Sequence, residues 1–304
     1  MLLHKQHTVA RRVQMSGIAL HSGKIVRLEI HPAAVNTGIV FKRVDLPGMP
    51  SVQAHVSNIQ STDLNTTIAL GEAKVATIEH LMAAFAGIGI DNALVKIDGP
   101  EVPVMDGSAS PFIERILYAG VAPQNAQRKY FVVREAFEFS AGDKWIKVEP
   151  AHSARFEMHI DFKSQVIGRQ SYGFDMAMDS FLKVSGCRTF CHVNDVNAMR
   201  RAGLALGGSL ENAIVVSDDE VLNPEGLRCP DEFVRHKLLD CIGDLALLGG
   251  PIIGKVSAFK SGHGLHAAFM KAIWSRRNDV LAVVEDLGVR HGDRRASAVA
   301  GAIA

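Results

Sequence analysis

One segment, residues 231–244, strongly limits the folds that this chain can adopt. Its apolar residues leave a helix of this sequence little surface for water, so the helix must lie inside the protein. His236, Asp240 and Asp244 stand four residues apart and therefore share one face. Burying three ionisable groups is costly unless they are paired or bind a metal ion. An ordinary imidazole–carboxylate pair is the alternative, and the apolar surroundings favour the metal.

A second segment, Ala76-Thr-Ile-Glu-His-Leu-Met82, places Glu79 directly before His80 at the start of another helical pattern. The helix dipole also favours an acidic residue in a first turn, so Glu79 alone has an ordinary explanation. Zinc with three protein ligands and one water, beside a carboxylate that acts as a base, is a catalytic pattern. The two segments together predict a metal hydrolase, with His80 binding the metal and Glu79 reaching its water.

The composition describes a globular protein large enough for two domains. The chain has 304 residues, 47% hydrophobic and 21% charged, with a formal net charge of +1. Such a charge gives no reason to expect nucleic acid or an acidic membrane as a partner. The N-terminus lacks the apolar run of a signal peptide, and no run reaches the roughly 18 apolar residues of a membrane helix. We therefore expect a cytoplasmic protein with no transmembrane segment.

The cysteines are Cys187, Cys191, Cys229 and Cys241, and none forms a Cys-x-x-Cys pair. Reduced thiols are expected in a chain without an export signal. Cys187 and Cys191 with His192 are an alternative metal set, but small thiols near a strand end are the favoured interpretation.

Short β-like runs alternate with turns and with a few helical patterns. Strands are predicted at residues 9–14, 25–31, 38–43, 93–97, 129–133, 145–148, 156–162 and 252–258. Thr77 is the predicted cap of the helix that follows it, and a helix is predicted near Ser180. The polar, turn-prone residues 121–129 predict a linker. Each half then has strands, a ligand-bearing helix, a glycine stop and a strand, which indicates a weak internal duplication.

Ser261-Gly-His263-Gly supplies a further histidine, which glycine flexibility lets reach into a site. A surface-loop histidine is an equally good interpretation of this spacing alone.

Six ordered motifs resemble those of the UDP-3-O-acyl-N-acetylglucosamine deacetylases, zinc amidases of lipid A biosynthesis in Gram-negative bacteria. They are Thr77-Ile-Glu-His-Leu81, Met105-Asp-Gly-Ser108, Arg188-Thr-Phe190, Gly207-Gly-Ser209, Val234-Arg-His-Lys-Leu-Leu-Asp240 and Lys260-Ser-Gly-His263. The resemblance covers residues 8–273. It implies an α+β fold of two similar domains, each a β-sheet layer packed on helices, with the active site at the domain interface. The expected domains are residues 1–125 and 126–285, followed by a C-terminal tail at residues 286–304.

The resemblance implies a role for each candidate residue at the reaction centre. His80, His236 and Asp240 match the zinc ligands, although a two-histidine, one-carboxylate site also accepts iron(II). Glu79 matches the general base that activates the water. The remaining matches are His263 as proton donor to the leaving amine, Asp244 as the carboxylate that orients and charges His263, and Thr189 as an oxyanion donor.

The resemblance also implies the substrate contacts. Lys237 matches a lysine beside the metal, Lys144 and Lys260 match basic positions near the nucleotide diphosphate, and Phe162 matches an aromatic residue near the uracil. Phe190 and Ser209 are further candidate contacts. An insertion at about 190–216 encloses the fatty acyl chain in the family, and its expected apolar lining here is Val193, Val196, Ala205, Leu206 and Ala213. Cys191 and His192 stand where the family has glycine and a bulky apolar residue, so the preferred acyl length stays open.

The expected activity is zinc-dependent hydrolysis of the acetamide of a UDP-linked, 3-O-acylated N-acetylglucosamine, which is the committed step of lipid A biosynthesis. The protein is expected to be a monomer. One alternative is a zinc amidohydrolase of another N-acyl sugar. Another is a nucleotide-sugar or lipid-binding module without catalysis. The presence of both Glu79 and His263 favours an enzyme, because binding alone needs neither.

Overall fold

The computed structural model describes residues 4–285. The first part of the chain builds a five-stranded sheet in the order β2-β3-β9-β4-β5, with smaller sheets beside it. Its elements are β1 (Lys5–Val9), β2 (Val13–Ile18), β3 (Ile25–Pro32), β4 (Ile39–Arg43), β5 (Ser51–Gln53), a 3-10 turn (Val56–Asn58), β6 (Ile59–Ser61), β7 (Thr67–Leu70), β8 (Ala73–Val75), α1 (Glu79–Ile88), β9 (Ala93–Ile97), α2 (Ser110–Ala119) and β10 (Val121–Gln127). In β3, Val26, Leu28 and Ile30 are buried and alternate with more exposed residues, which is the period of a sheet covered on one face.

The second part of the chain builds a seven-stranded sheet. Its elements are β11 (Tyr130–Val133), β12 (Phe137–Ala141), β13 (Lys144–Glu149), β14 (Ala154–Asp161), β15 (Arg169–Asp175), α3 (Leu182–Ser185), β16 (Phe190–His192), α4 (Val193–Arg201), β17 (Ile214–Val216), α5 (Glu232–Leu245), a 3-10 turn (Ala246–Leu248), β18 (Ile252–Phe259), α6 (His263–Ser275), α7 (Arg277–Val280) and β19 (Leu281–Val284).

The two large sheets share one pattern of strand pairing. In the first, the late strand β9 pairs antiparallel with β3 of the β2–β3 hairpin and parallel with β4 of the β4–β5 hairpin. In the second, β18 pairs antiparallel with β13 of the β12–β13 hairpin and parallel with β14 of the β14–β15 hairpin. The predicted α+β fold with two similar sheet-and-helix units is therefore confirmed, and the duplication is visible in strand order although residue identity between the halves is low.

Helices α1 and α5 each precede the central strand of their own sheet, and they pack against each other. The packing is so close that a Cβ on Gly243 would overlap the carbonyl oxygen of Glu79. Only glycine at this position lets the two backbones meet. The candidate ligands on α1 and α5 are brought together by this contact.

The structure corrects several local predictions. The strand expected at residues 9–14 is two strands, because the exposed residues 10–12 separate β1 from β2. The expected linker at residues 121–129 contains β10, which pairs antiparallel with β1. Thr77 does not cap α1: its φ is 56° and its hydroxyl donates to Glu101 Oε1 at 3.2 Å. The helix expected near Ser180 is the four-residue α3.

The predicted tail, residues 286–304, lies outside the described residues. Within residues 4–285, no helix has the length and apolar character needed to span a membrane.

Candidate active site

Two imidazoles and one carboxylate converge where α1 begins beside α5. His80, His236 and Asp240 are buried, and each offers one ligand atom within 4.8 Å of the others. Asp240 Oδ1 lies 3.5 Å from His80 Nε2 and 3.3 Å from His236 Nε2. This oxygen is buried and has no hydrogen-bond partner. A metal ion bound by all three atoms would satisfy it, and two histidines with one carboxylate are a donor set that zinc accepts, so the residues fit a metal.

The groups around these ligands orient them. His236 Nδ1 donates to the carbonyl oxygen of Cys187 at 3.0 Å, which leaves the lone pair of Nε2 directed at the ligand cluster. Burial lowers the pKa of His236 to about 3, against the opposing effect of Asp240, so the ring is neutral as a metal ligand must be. Lys237 Nζ donates to Asp240 Oδ2 at 2.8 Å. The carboxylate thus keeps its other oxygen, Oδ1, for the metal.

Glu79 is the first residue of α1, and it lies beside the ligands rather than among them. It is 3% exposed, and its Oε2 accepts a hydrogen bond from the backbone N–H of Thr66 at 3.0 Å. Its Oε1 lies 3.8 Å from His263 Nε2. Burial raises the pKa of Glu79, while the positive charge of His263 opposes the rise. A carboxylate with a raised pKa is a stronger base, as a general base requires.

Asp244 and His263 form a pair on the other side of Glu79. His263 Nδ1 lies 2.8 Å from Asp244 Oδ2, and Nε2 of the same ring lies 4.0 Å from Asp240 Oδ2. Burial alone would lower the pKa of His263, but the negative charges of Asp244, Glu79 and Asp240 outweigh it and raise the pKa to about 9. The imidazole therefore holds a proton at neutral pH with Nε2 directed at the cluster.

Three residues at this site were missed by the sequence analysis. Thr66 Oγ1 donates to Asp244 Oδ1 at 2.6 Å, and His266 Nδ1 lies 2.7 Å from Asp244 Oδ2. Ser261 Oγ lies 2.9 Å from His266 Nε2. Asp244, His263 and His266 also qualify as a metal-capable group, but both Nδ1 atoms are at hydrogen-bond distance from one carboxylate oxygen, so we interpret them as a hydrogen-bonded set.

An aromatic cluster adjoins the metal-ligand side. The Phe190 ring centroid lies 6.2 Å from that of His236 and 5.5 Å from that of Phe162, which is 40% exposed. Lys237 Nζ lies 5.7 Å from the Phe190 centroid. One edge of the site is therefore formed by Phe162, Phe190 and Lys237. Their predicted contacts with the substrate stay predictions.

The other predicted substrate residues are less closely tied to the ligands. Lys144 is exposed at the start of β13, and Lys260 Nζ pairs with Asp143 Oδ2 at 2.9 Å. Thr189 is half-buried, and its backbone bonds to Gly107 and Ile214 at 2.8 Å each. Its predicted oxyanion role stays a prediction.

Residues of the predicted insertion form a β-α-β unit in which β16 and β17 pair in parallel on either side of α4. No residue of α4 is fully buried, and Val193 and Val196 are half-buried on it. Ala205 and Ala213 are buried, whereas Ser209 is exposed. The apolar face of α4 is thus left without complete cover by protein, and its predicted contact with an acyl chain stays a prediction.

A buried ion pair supports the segment that carries Cys187 and Thr189. Arg188 is 1% exposed, and its Nε donates at 3.0 Å to Glu232 Oε1, while Glu232 is 0% exposed. Glu232 begins α5, so the pair fixes that helix to the strand that follows residue 188. No role was predicted for Arg188 from the sequence, and this pair gives it a structural one.

Among residues 4–285, no cysteine belongs to a group of ligand atoms close enough together to hold a metal ion, so the alternative set of Cys187, Cys191 and His192 is not assembled. All four are free thiols, and burial raises the pKa of Cys187 and Cys191, the latter to about 11. A cavity of about 270 Å³ opens toward the C-terminal ends of α1 and α5, lined by apolar residues such as Met82, Phe85 and Leu245. It contains none of the candidate ligands, so ligand geometry and not cavity size locates the site.

The geometry first defines a class of protein. It is an α+β protein in which two histidines and one carboxylate could bind a metal ion between two similar halves. The buried carboxylate of Glu79 and the cationic ring of His263 lie beside them. A family model described as UDP-3-O-acyl N-acetylglycosamine deacetylase matches residues 6–275. The chain belongs to this family.

Relatives named UDP-3-O-acyl-N-acetylglucosamine deacetylase are similar over most of their length. The relative from Acidithiobacillus ferrooxidans is 47% identical over 277 residues, covering 90% of this chain and 91% of its own. That from Myxococcus xanthus is 46% identical over 273 residues, covering 90% and 87%. That from Brucella melitensis biotype 1 is 44% identical over 272 residues, covering 89% and 95%.

Proposed function

We propose that the protein is a zinc-dependent deacetylase that hydrolyses the acetamide of UDP-3-O-(3-hydroxyacyl)-N-acetylglucosamine. The products are acetate and UDP-3-O-(3-hydroxyacyl)-glucosamine, and the reaction is the committed step of lipid A biosynthesis. The observation that carries the proposal is the meeting of the His80, His236 and Asp240 donor set with Glu79 and His263 in one buried site of a chain from this family.

The metal would be held by His80, His236 and Asp240. A divalent ion in such a site polarises a carbonyl group and lowers the pKa of water. The assignment of zinc rather than iron(II) is part of the proposal, since the donor set accepts both.

The protein's own residues would carry the protons. Glu79 takes a proton from the attacking water, whose oxygen forms a bond to the acetamide carbon. Thr189 donates a hydrogen bond where negative charge develops on the carbonyl oxygen. His263 delivers its Nε2 proton to the nitrogen, the C–N bond breaks and the free amine leaves. Asp244 keeps His263 charged and oriented, and this is needed because an unprotonated amine is a poor leaving group.

The wider surface would bind the rest of the substrate. Phe162 and Phe190 lie at the edge of the metal-ligand side and are candidates for the uracil and the sugar. Lys144 and Lys260 are candidates for the diphosphate, and the β-α-β unit for the acyl chain. We also propose the two-domain division and a cytoplasmic monomer, with the four free thiols in agreement with a reducing compartment.

Acetate release from UDP-3-O-acyl-N-acetylglucosamine, measured with and without a chelator, tests the function. Turnover should disappear with the chelator and return with zinc. His236→Ala and Asp240→Ala should lose bound zinc, and unchanged zinc in both variants would contradict the ligand assignment. Glu79→Gln should keep zinc yet lose about 10²- to 10⁴-fold in kcat, the usual contribution of a general base. A fully active Glu79→Gln variant would exclude that role.

A further inference from the structure

The Asp244 carboxylate has two hydrogen-bond donors besides His263. Thr66 Oγ1 lies 2.6 Å from Oδ1, and His266 Nδ1 lies 2.7 Å from Oδ2, the oxygen that also bonds His263. Asp244 is 1% exposed, Thr66 2% and His266 0%. Solvent therefore cannot replace either donor. Loss of the Thr66 hydroxyl would leave Oδ1 unsatisfied, and loss of His266 would leave Oδ2 with His263 as its one remaining donor.

The donor role of His266 follows from its surroundings. Its Nε2 lies 2.9 Å from Ser261 Oγ, and that hydroxyl can also donate to Met158 Sδ at 3.4 Å. If the hydroxyl donates to Nε2, the neutral ring carries its proton on Nδ1. If the hydroxyl donates to Met158, the ring carries protons on both nitrogens. In both arrangements Nδ1 donates to Asp244, because an ionised carboxylate only accepts.

Thr66 connects the two acid–base groups of the site. Its hydroxyl donates to Asp244 and its backbone N–H donates to Glu79 Oε2 at 3.0 Å. The same hydroxyl oxygen lies 3.3 Å from His263 Nδ1, but its single proton is directed to the closer Asp244 oxygen. One residue thus sets the position of Glu79 relative to Asp244.

We infer that Thr66 and His266 are positioning residues, which hold the two oxygens of Asp244 so that His263 presents Nε2 between Glu79 and Asp240. The terminal torsion of an aspartate is broad, so one bond to His263 would not fix the carboxylate plane. With both donors in place, His263 Nε2 lies 3.8 Å from Glu79 Oε1 and 4.0 Å from Asp240 Oδ2. The inference rests on the proposed function, in which His263 donates a proton to the leaving amine.

Matched substitutions at each donor test the inference. His266→Leu removes the donor and keeps an apolar side chain in the buried space, whereas His266→Asn keeps an N–H near the position of Nδ1. Thr66→Val removes only the hydroxyl, and Thr66→Ser keeps it. Each variant is made in the full chain with zinc bound, and kcat, KM, zinc content and the melting temperature are measured.

Loss of either donor should lower kcat by about 10- to 100-fold with KM and zinc content unchanged, and the donor-keeping variant at the same position should restore kcat to within about threefold. Wild-type kcat in both His266→Leu and Thr66→Val would overturn the inference. It would also fail if Thr66→Ser and His266→Asn lost as much kcat as their donor-lacking counterparts, because the defect would then be structural. If His266→Leu does not fold, the Thr66 pair decides by the same criteria.

The result is distinguishable from failure of the proposed function. If the wild-type protein does not release acetate from the substrate, the function is wrong whatever the variants do. The N–H resonance of His263 Nδ1 in the NMR spectrum then still reports the geometry: it should broaden or shift in Thr66→Val and not in Thr66→Ser. An unchanged resonance in Thr66→Val would exclude the positioning role.

Discussion

Replacing Gly243 by alanine should separate α1 from α5 and open the candidate metal site. A Cβ at Gly243 overlaps the carbonyl oxygen of Glu79 and lies 2.9 Å from its carbonyl carbon and 3.1 Å from the nitrogen of Ala83. Unstrained contacts between heavy atoms are about 3.5 Å or longer, so relieving the overlap with the Glu79 carbonyl oxygen requires the helices to part by about 1 Å or more. His80 Nε2 and Asp240 Oδ1, which are 3.5 Å apart, lie on opposite sides of this contact and would move apart with it.

The expected losses follow from that displacement. Overpacking lowers the free energy of unfolding by about 1–3 kcal/mol. Displacements near 1 Å in a catalytic site lower turnover by about 10²-fold. Urea denaturation, zinc content and acetate release measure the three effects. Gly173→Ala is the matched control, since a Cβ there meets nothing within 4 Å. A Gly243→Ala variant with the stability, zinc content and turnover of Gly173→Ala would refute the argument that this helix contact sets the site.

Four further predictions concern charge and metal. Activity should fall at low pH as Glu79 is protonated, at a pH above that of an ordinary glutamate because burial raises its pKa. It should fall at high pH as His263 loses its proton near its pKa of about 9. Asp244→Asn removes a negative charge beside His263, so the high-pH limb of kcat/KM should move to lower pH, and an unmoved limb would contradict the pairing. Arg188→Met leaves the buried Glu232 without its cation, so the free energy of unfolding in urea titrations should fall by about 3–5 kcal/mol. A loss under about 1 kcal/mol would contradict a stabilising role for the pair. Chelation should lower the melting temperature, because a metal ion at 1,000 times its Kd adds about 4 kcal/mol to the free energy of unfolding. An unchanged melting temperature would mean that the folded state does not bind the metal.

Much of the fold was predictable because its signals are local. The apolar pattern around His236 predicts a buried helix, and Gly249, at φ 87°, ends the 3-10 turn that continues it. By contrast, the polar sequence of β10 predicts a turn. It forms a strand because it pairs with β1, which lies more than a hundred residues earlier in the chain. Pairing over such a distance leaves no periodic trace in the strand itself.

The candidate site divides in the same way. Spacing on one helix places His236, Asp240 and Asp244 on one face, and the motifs point to Glu79, His80 and His263. The role of Thr66 could not be predicted, because its hydrogen bond to Asp244 joins residues 178 positions apart. His266 had a weak local signal, three residues after His263 on an apolar helix, where a polar ring must find a buried partner.

Because β10 pairs with β1, the chain comes back beside its first strand before the second large sheet begins. Residues 5–127 therefore form a closed piece whose two ends lie on one ribbon, and the chain then passes once into the second piece. Two separately produced fragments, divided between β10 and β11, would each contain a complete large sheet but only part of the ligand set: His80 in one, His236 and Asp240 in the other. Metal uptake on mixing would then report fragment complementation directly, with the ion acting as the sensor of correct assembly.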